Sequence, residues 1–183
     1  MRKDILDVLS SNGVSIELKG YKEMISTDGY HMRGTLYVNG KKAIFCEDLG
    51  IGGECDVTVL NPVNAKPLLD IKDELAELKA YPEEESIKDL PLGFDNIFYL
   101  LAEDYSEKKE LKKYAKKYVL VKFTNREYEK GAFTTYEVKL DKSFIKFLIK
   151  KLSEENLTEI IIWNIECEWK TYSIEDLKKL YEI

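Results

Sequence analysis

The chain has 183 residues, of which 44% are hydrophobic and 34% charged, with 12 tyrosines and 7 phenylalanines. That composition can bury a core and argues against disorder. A net charge of −6 and a pI near 5.1 exclude broad attachment to nucleic acid or to an anionic membrane, because both require a positive face.

Three cysteines, Cys46, Cys55 and Cys167, are odd in number and lack CxxC spacing. They support neither a disulfide framework nor a zinc site, and no cofactor or metal is expected. Free thiols fit a reducing compartment. The N-terminal MRKDILDVLSSNG carries acidic residues within its short apolar periodicity, unlike a signal peptide. No apolar run approaches the roughly 20 residues of a membrane span. The expectation is a cytoplasmic protein with no membrane partner.

In chain order, Ile5, Leu6, Val8 and Leu9 fall within two helical turns, and Gly13 suits a helix end. From Val14 to Met24 apolar and polar residues alternate, the period of a strand with one wet face. Met32 to Val38 and Lys41 to Phe45 flank Asn39-Gly40. This dipeptide predicts a type I′ hairpin, since both central residues need positive φ. The run DLGIGGECD reads as a loop, and Cys55 to Leu60 as a further strand ending at Asn61-Pro62.

Leu68, Leu69, Ile71, Leu75 and Leu78 predict a helix over Lys66–Leu78 that begins at Pro67. Phe94, Ile97, Phe98, Leu101 and Tyr105 predict another, which Leu111, Tyr114, Ala115 and Tyr118 continue. Strands are expected at Tyr118–Phe123 and Thr134–Leu140, joined by NREYEKG as a long hairpin. Asp141 is placed to cap a helix to Leu152 that buries Phe144, Ile145, Leu148 and Leu152. Glu159–Ile165 reads as a central strand. Ser173 and Asp176 form a capping-box pattern before a last helix, with Ile174, Leu177 and Leu180 inward. The fold class is α+β, an N-terminal antiparallel meander followed by helices and a C-terminal mixed β/α half. One domain over residues 1–183 is expected, and the acidic stretch at 81–90 is the place for a subdomain boundary.

Candidate sites are sparse. Gly50, Gly52 and Gly53 resemble a phosphate cradle, but no helix follows them and Asp48, Glu54 and Asp56 bracket them with like charge. These carboxylates offer oxygens to a divalent cation, without calcium-loop spacing. His31, with Tyr30 and Lys41, is the group a metal-independent nuclease would use, although one histidine cannot serve as both acid and base. Six lysines in KKELKKYAKK face one glutamate. Among them Lys109, Lys112, Lys113 and Lys116 form a basic stripe able to meet nucleic-acid phosphates, and a solvated helix face explains them equally. Asp70, Asp73, Glu74, Glu77, Glu83, Glu84 and Glu85 make the preceding region the most acidic of the chain.

LYVNGKKAIFCEDLGIGG resembles a segment of small accessory proteins of phages and prophages, an LYxNGKK hairpin followed by D-x-G-x-GG. LKKYAKKYVLVKF resembles a second such segment, a lysine-rich helix running into a strand. The resemblance brings no activity with it. It implies a phage-encoded protein acting in the host cytoplasm, and two functions compete. One is a non-catalytic, anti-CRISPR-like inhibitor that binds a host defence protein or ribonucleoprotein, its acidic region imitating phosphate against a basic groove. The other is a small nuclease built on His31 and the basic helix. The hairpin and the tyrosine content also permit a homodimer.

Overall fold

The computed structural model describes residues 1–25, 27, 29–52, 54–82, 89–125, 132–163 and 168–182. The fold is α+β. The chain forms two compact units, Met1–Tyr105 and Ser106–Ile183. The division falls within one helix, α4 (Phe94–Ala115).

In the first unit, α1 (Lys3–Ser11) precedes a meander of β1 (Ile16–Ile25), β2 (Tyr30–Val38), β3 (Lys41–Asp48) and β4 (Asp56–Val59). The strands lie in sequence order and pair antiparallel. Asn39 and Gly40 have φ of 48° and 74°, so the hairpin turn has the two left-handed residues its sequence predicts.

Two irregularities set which side chains reach the core. Gly20 and Tyr21 of β1 oppose the single residue Gly34 of β2, and Gly20 sits at φ 64°. This glycine bulge breaks the alternation that buried Leu18 and turns Tyr21 inward against Phe98. Gly34 is bare for a reason: a Cβ there would stand 2.6 Å from Leu18 Cδ1. A second bulge on β3 lets consecutive Ala43 and Ile44 both be buried. The Ala43 carbonyl then accepts from Leu60 and Asn61.

The helix expected over Lys66–Leu78 is instead two. α2 (Pro62–Leu69) starts at Asn61, whose side chain accepts from the Val63 and Asn64 amides at 3.0 and 3.1 Å. An Asn cap with proline at the first helical position outcompetes Pro67 as the start. Pro67 lies inside α2, and the helix stops soon after it, before α3 (Lys72–Ala76). Ile5, Leu36, Ile44, Leu68, Leu75, Ile97 and Phe98 fill one core between the sheet and the helices. Each such side chain contributes about 1.5–3 kcal/mol by leaving water.

The second unit holds the last part of α4, then β5 (Val119–Phe123), β6 (Thr134–Tyr136), α5 (Lys142–Glu154), β7 (Glu159–Trp163), β8 (Trp169–Ser173) and α6 (Ile174–Tyr181). The sheet order is β6-β5-β7-β8, with every pairing antiparallel, and β7 is interior as expected. Residues 164–165, the expected end of that strand, lie outside the described residues, as do most of the NREYEKG loop and Cys167. β8 was not expected from sequence.

One face of this sheet packs Val121, Phe123, Ile160 and Ile162 against Ile145, Leu148 and Leu152 of α5 and Leu177 of α6. The other face packs Leu120 and Trp163 against Leu111 of α4. Asp141 caps α5 by accepting from the Phe144 amide at 2.9 Å, and Ser173 with Asp176 forms the capping box of α6. Leu180, expected inward, is 61% exposed. Ile174, Leu177 and Tyr181 make the inward stripe of α6 instead, because steps of three and four residues hold one helical face. Among the described residues no helix is long and apolar enough to cross a membrane.

Candidate functional site

The antiparallel pairing of Val119 with Tyr136 carries the chain after β6 back alongside the end of α4. The expected strand Thr134–Leu140 ends at Tyr136, because two tight turns follow. The Val138 amide donates to the Tyr136 carbonyl and the Asp141 amide to the Lys139 carbonyl, each at 3.0 Å. These turns take residues 137–140 out of the ladder and set them against residues 112–119.

A cavity of about 680 Å³ results, of a size suited to a small ligand. Its lining includes four exposed lysines, Lys112, Lys116, Lys117 and Lys139, with a single carboxylate, Glu137. Its floor is apolar: Val119, Tyr118 and Trp163, the last only 7% exposed. Val138 and Leu140 extend the apolar wall into solvent. None of the four lysines has an ion-pair partner among the described residues. Lysines near a helix C-terminus complement its dipole, which accounts for Lys112 and Lys113 in the last turn of α4. That does not account for Lys139, which comes from a different segment.

Behind the floor runs an aromatic chain. Tyr114 and Tyr118 have ring centroids 6.5 Å apart, Tyr114 meets Phe133 edge-on at 5.8 Å, and Phe133 lies 5.9 Å from Trp169. Trp169 meets Trp163 edge-on at 5.5 Å, with the Lys122 ammonium 4.6 Å from its ring centre. Tyr114 remains 45% exposed beside the lysines.

Of the expected basic residues, Lys112 and Lys116 line the cavity, whereas Lys109 and Lys113 do not. Lys139, Tyr118 and Trp163 were not singled out from sequence. Lys139 was hidden because Thr134–Leu140 alternates like a strand, which would have placed it on an ordinary wet face.

The other candidate residues are dispersed in the first unit. His31 Nε2 lies 3.0 Å from Glu47 Oε1, and Arg33 is 3.9 Å from the same oxygen. Tyr30 is the neighbour of His31 on β2 and so points to the opposite face. Lys41 pairs with Val38 at the far end of the β2–β3 ladder from His31. The structure therefore does not gather His31, Tyr30 and Lys41.

Asp48 accepts from the Gly50 amide and from the Tyr99 hydroxyl, each at 2.7 Å. It stands on the inner face of the sheet. Asp56 pairs with Glu47 on the outer face, and Glu54 is exposed in the loop. Gly50 and Gly52 have φ of 72° and 81°, and Gly53 lies outside the described residues. The backbone of Gly50 packs on Gly29 and Tyr30, leaving no room for a Cβ, so this loop closes on its own chain. Among the described residues no three His, Cys, Asp or Glu side chains gather as a metal site.

Cys46 is fully buried and Cys55 half-buried beside it. Burial pushes the Cys46 thiol up to about 12, with Cys55 and then Asp95 adding, and the Cys55 thiol up to about 11, with the Asp48 and Asp95 carboxylates adding. Neither is a thiolate nucleophile at neutral pH. Burial and the Asp48 carboxylate likewise raise Tyr99.

In the acidic region Asp70, Asp73, Glu74 and Glu77 are all exposed. Asp70 pairs with Lys66 at 2.8 Å and Glu74 accepts from Asn12 at 2.9 Å. Asp73 and Glu77 have no ion pair among the described residues. Glu83, Glu84 and Glu85 lie outside the described residues.

No family model, curated protein or solved structure matches the chain.

Proposed function

We propose that the protein is a binding module whose C-terminal unit holds a phosphate-bearing ligand in the lysine-rimmed cavity. The observation that carries this reading is that four lysines from two separate segments, none with an ion-pair partner among the described residues, line one apolar-floored cavity. In a chain of net charge −6 such a concentration of one sign attracts an anion locally. The described lining offers one carboxylate and neither a thiol nor an imidazole, a set suited to holding a ligand rather than to general acid–base chemistry.

The test is binding of a labelled oligonucleotide, followed by fluorescence anisotropy across a salt series. The wild type binds at low salt, and Lys112→Glu with Lys116→Glu abolishes binding while leaving the thermal transition in place. Absence of binding by the wild type at low salt sinks the reading.

A second reading has its own support. Asp73 and Glu77 stand exposed with no ion-pair partner among the described residues, and an acidic face of this kind fits a basic groove on a partner protein. This is the arrangement a phage-encoded inhibitor of a host nuclease would use. Asp73→Lys with Glu77→Lys should then abolish inhibition of a ribonucleoprotein nuclease, and unchanged inhibition would remove this face from consideration.

A further inference from the structure

Resting on the anion-binding reading of the same cavity, we infer that its ligand is single-stranded nucleic acid, held by its phosphates on the lysines and by an unstacked base on the aromatic floor. Phosphate attraction alone requires only the lysines. The floor requires a ligand that also brings a flat apolar surface, and Tyr118 and Trp163 line the same cavity as Lys112, Lys116 and Lys117.

Tyr114, in the last turn of α4, has its ring centroid 6.5 Å from that of Tyr118 just past the helix end, so two aromatic rings stand among the lysines of the same stretch. Lys112 and Lys116 are four residues apart across the end of α4, a backbone step of about 6 Å in helical geometry. An extended strand sets its successive phosphates at a comparable spacing. Interleaved cations and rings form the usual platform for single strands, because every base has a face to stack. A duplex hides its base faces and gains only from the charges. Among the described residues the lysines lining the cavity come from one helix end and one turn, too short a run to follow a duplex groove. The same logic separates a nucleic acid from a base-free polyanion, which gains nothing from Tyr118.

Three probes at equal charge decide the matter: an unstructured oligothymidylate, a duplex of matching length, and inorganic polyphosphate. The oligothymidylate should bind best and should quench the tryptophan emission of the wild type, a quench lost in Trp163→Phe. The log–log dependence of its affinity on salt should have a slope of about −3, the value for four phosphates of a single strand, and should flatten by about 0.7 for each lysine replaced by glutamine. Tyr118→Leu should weaken the oligothymidylate about tenfold, while leaving polyphosphate unchanged. Tyr118→Phe, which keeps the ring, should bind like the wild type. If Tyr118→Leu lowers the melting temperature, Tyr114→Ala at the exposed neighbouring ring gives the same comparison.

Equal binding of all three probes, with no effect of either tyrosine variant, overturns the single-strand inference and leaves the anion site standing. Failure of every probe overturns both.

Discussion

The Tyr99 hydroxyl donates to Asp48 Oδ2 at 2.7 Å, tying the first turns of α4 to the last residue of β3. The other carboxylate oxygen of Asp48 accepts from the Gly50 amide, so one side chain fixes both a helix and the glycine loop. Tyr99→Phe removes one donor and should cost about 1 kcal/mol in urea unfolding, the usual net worth of such a bond. Asp48→Ala strips partners from both donors and should cost more. An Asp48→Ala protein no less stable than Tyr99→Phe would show that the loop does not depend on this carboxylate.

Alkaline stability should follow from the groups around that bond. The thiols of Cys46 and Cys55 have ordinary values of 9.0 but are raised to about 12 and about 11 in the fold. The unfolded chain therefore releases protons that the folded chain keeps. Below pH 9 the two states bind alike at these sites and stability is unaffected. Above it stability falls with rising pH until the folded thiols themselves ionise. Tyr99 adds to the decline at higher pH, since its hydroxyl is raised too. Denaturant midpoints measured from pH 8 to pH 11 should drop, and Cys46→Ala should make the drop shallower.

At neutral pH the same shifts predict thiol behaviour. Iodoacetamide should modify Cys55 slowly and Cys46 only when the protein opens, as peptide mass mapping with and without denaturant would reveal. Fast native-state labelling of Cys46 would contradict its burial.

Gly50 and Gly52 are close in sequence and share the left-handed region, yet they should respond differently to substitution. A Cβ at Gly50 would strike the Tyr30 backbone, whereas one at Gly52 meets nothing within 4 Å. Gly52→Ala should cost about 1 kcal/mol from backbone strain alone, and Gly50→Ala about 2 kcal/mol or more. Thermal unfolding of the two variants side by side tests this order.

Asp141 terminates the turn that carries Lys139 and also caps α5. Asp141→Ala should lower stability by about 1 kcal/mol. Because the cap fixes where the turn ends, the variant should also weaken anion binding under conditions where it remains folded. Full binding by a measurably destabilised variant would uncouple the cap from the cavity.

Much of the architecture is legible in local pattern. The Asn39-Gly40 hairpin, the Asp141 cap and the Ser173–Asp176 capping box each depend on a few neighbouring residues, and each occurs where its chemistry requires. The misreadings arise from local pattern as well. Pro67 looks like a helix start until Asn61-Pro62 is weighed as a better one, and Leu180 looks inward until Tyr181 is seen to share the stripe of Ile174 and Leu177. Trp169–Ser173, which forms β8, mixes polar and aromatic residues on both faces and so carries no alternating signal. At Pro67 the better local cap prevails, and at Leu180 the stripe that packs on the core does.

Propensity, periodicity and charge act over a few residues, so an α+β chain with an antiparallel meander, a lysine-rich helix end and an acidic stretch before it can be read from local pattern. Which of those charges share a site is set by the fold. His31 and Lys41 lie ten residues apart in sequence, yet the ladder holds them at opposite ends. Lys116 and Lys139 lie in separate segments, but the pairing of Val119 with Tyr136 and the two tight turns after it bring them to one rim. Sheet register and chain reversal set those distances, and both arise from contacts far apart along the chain.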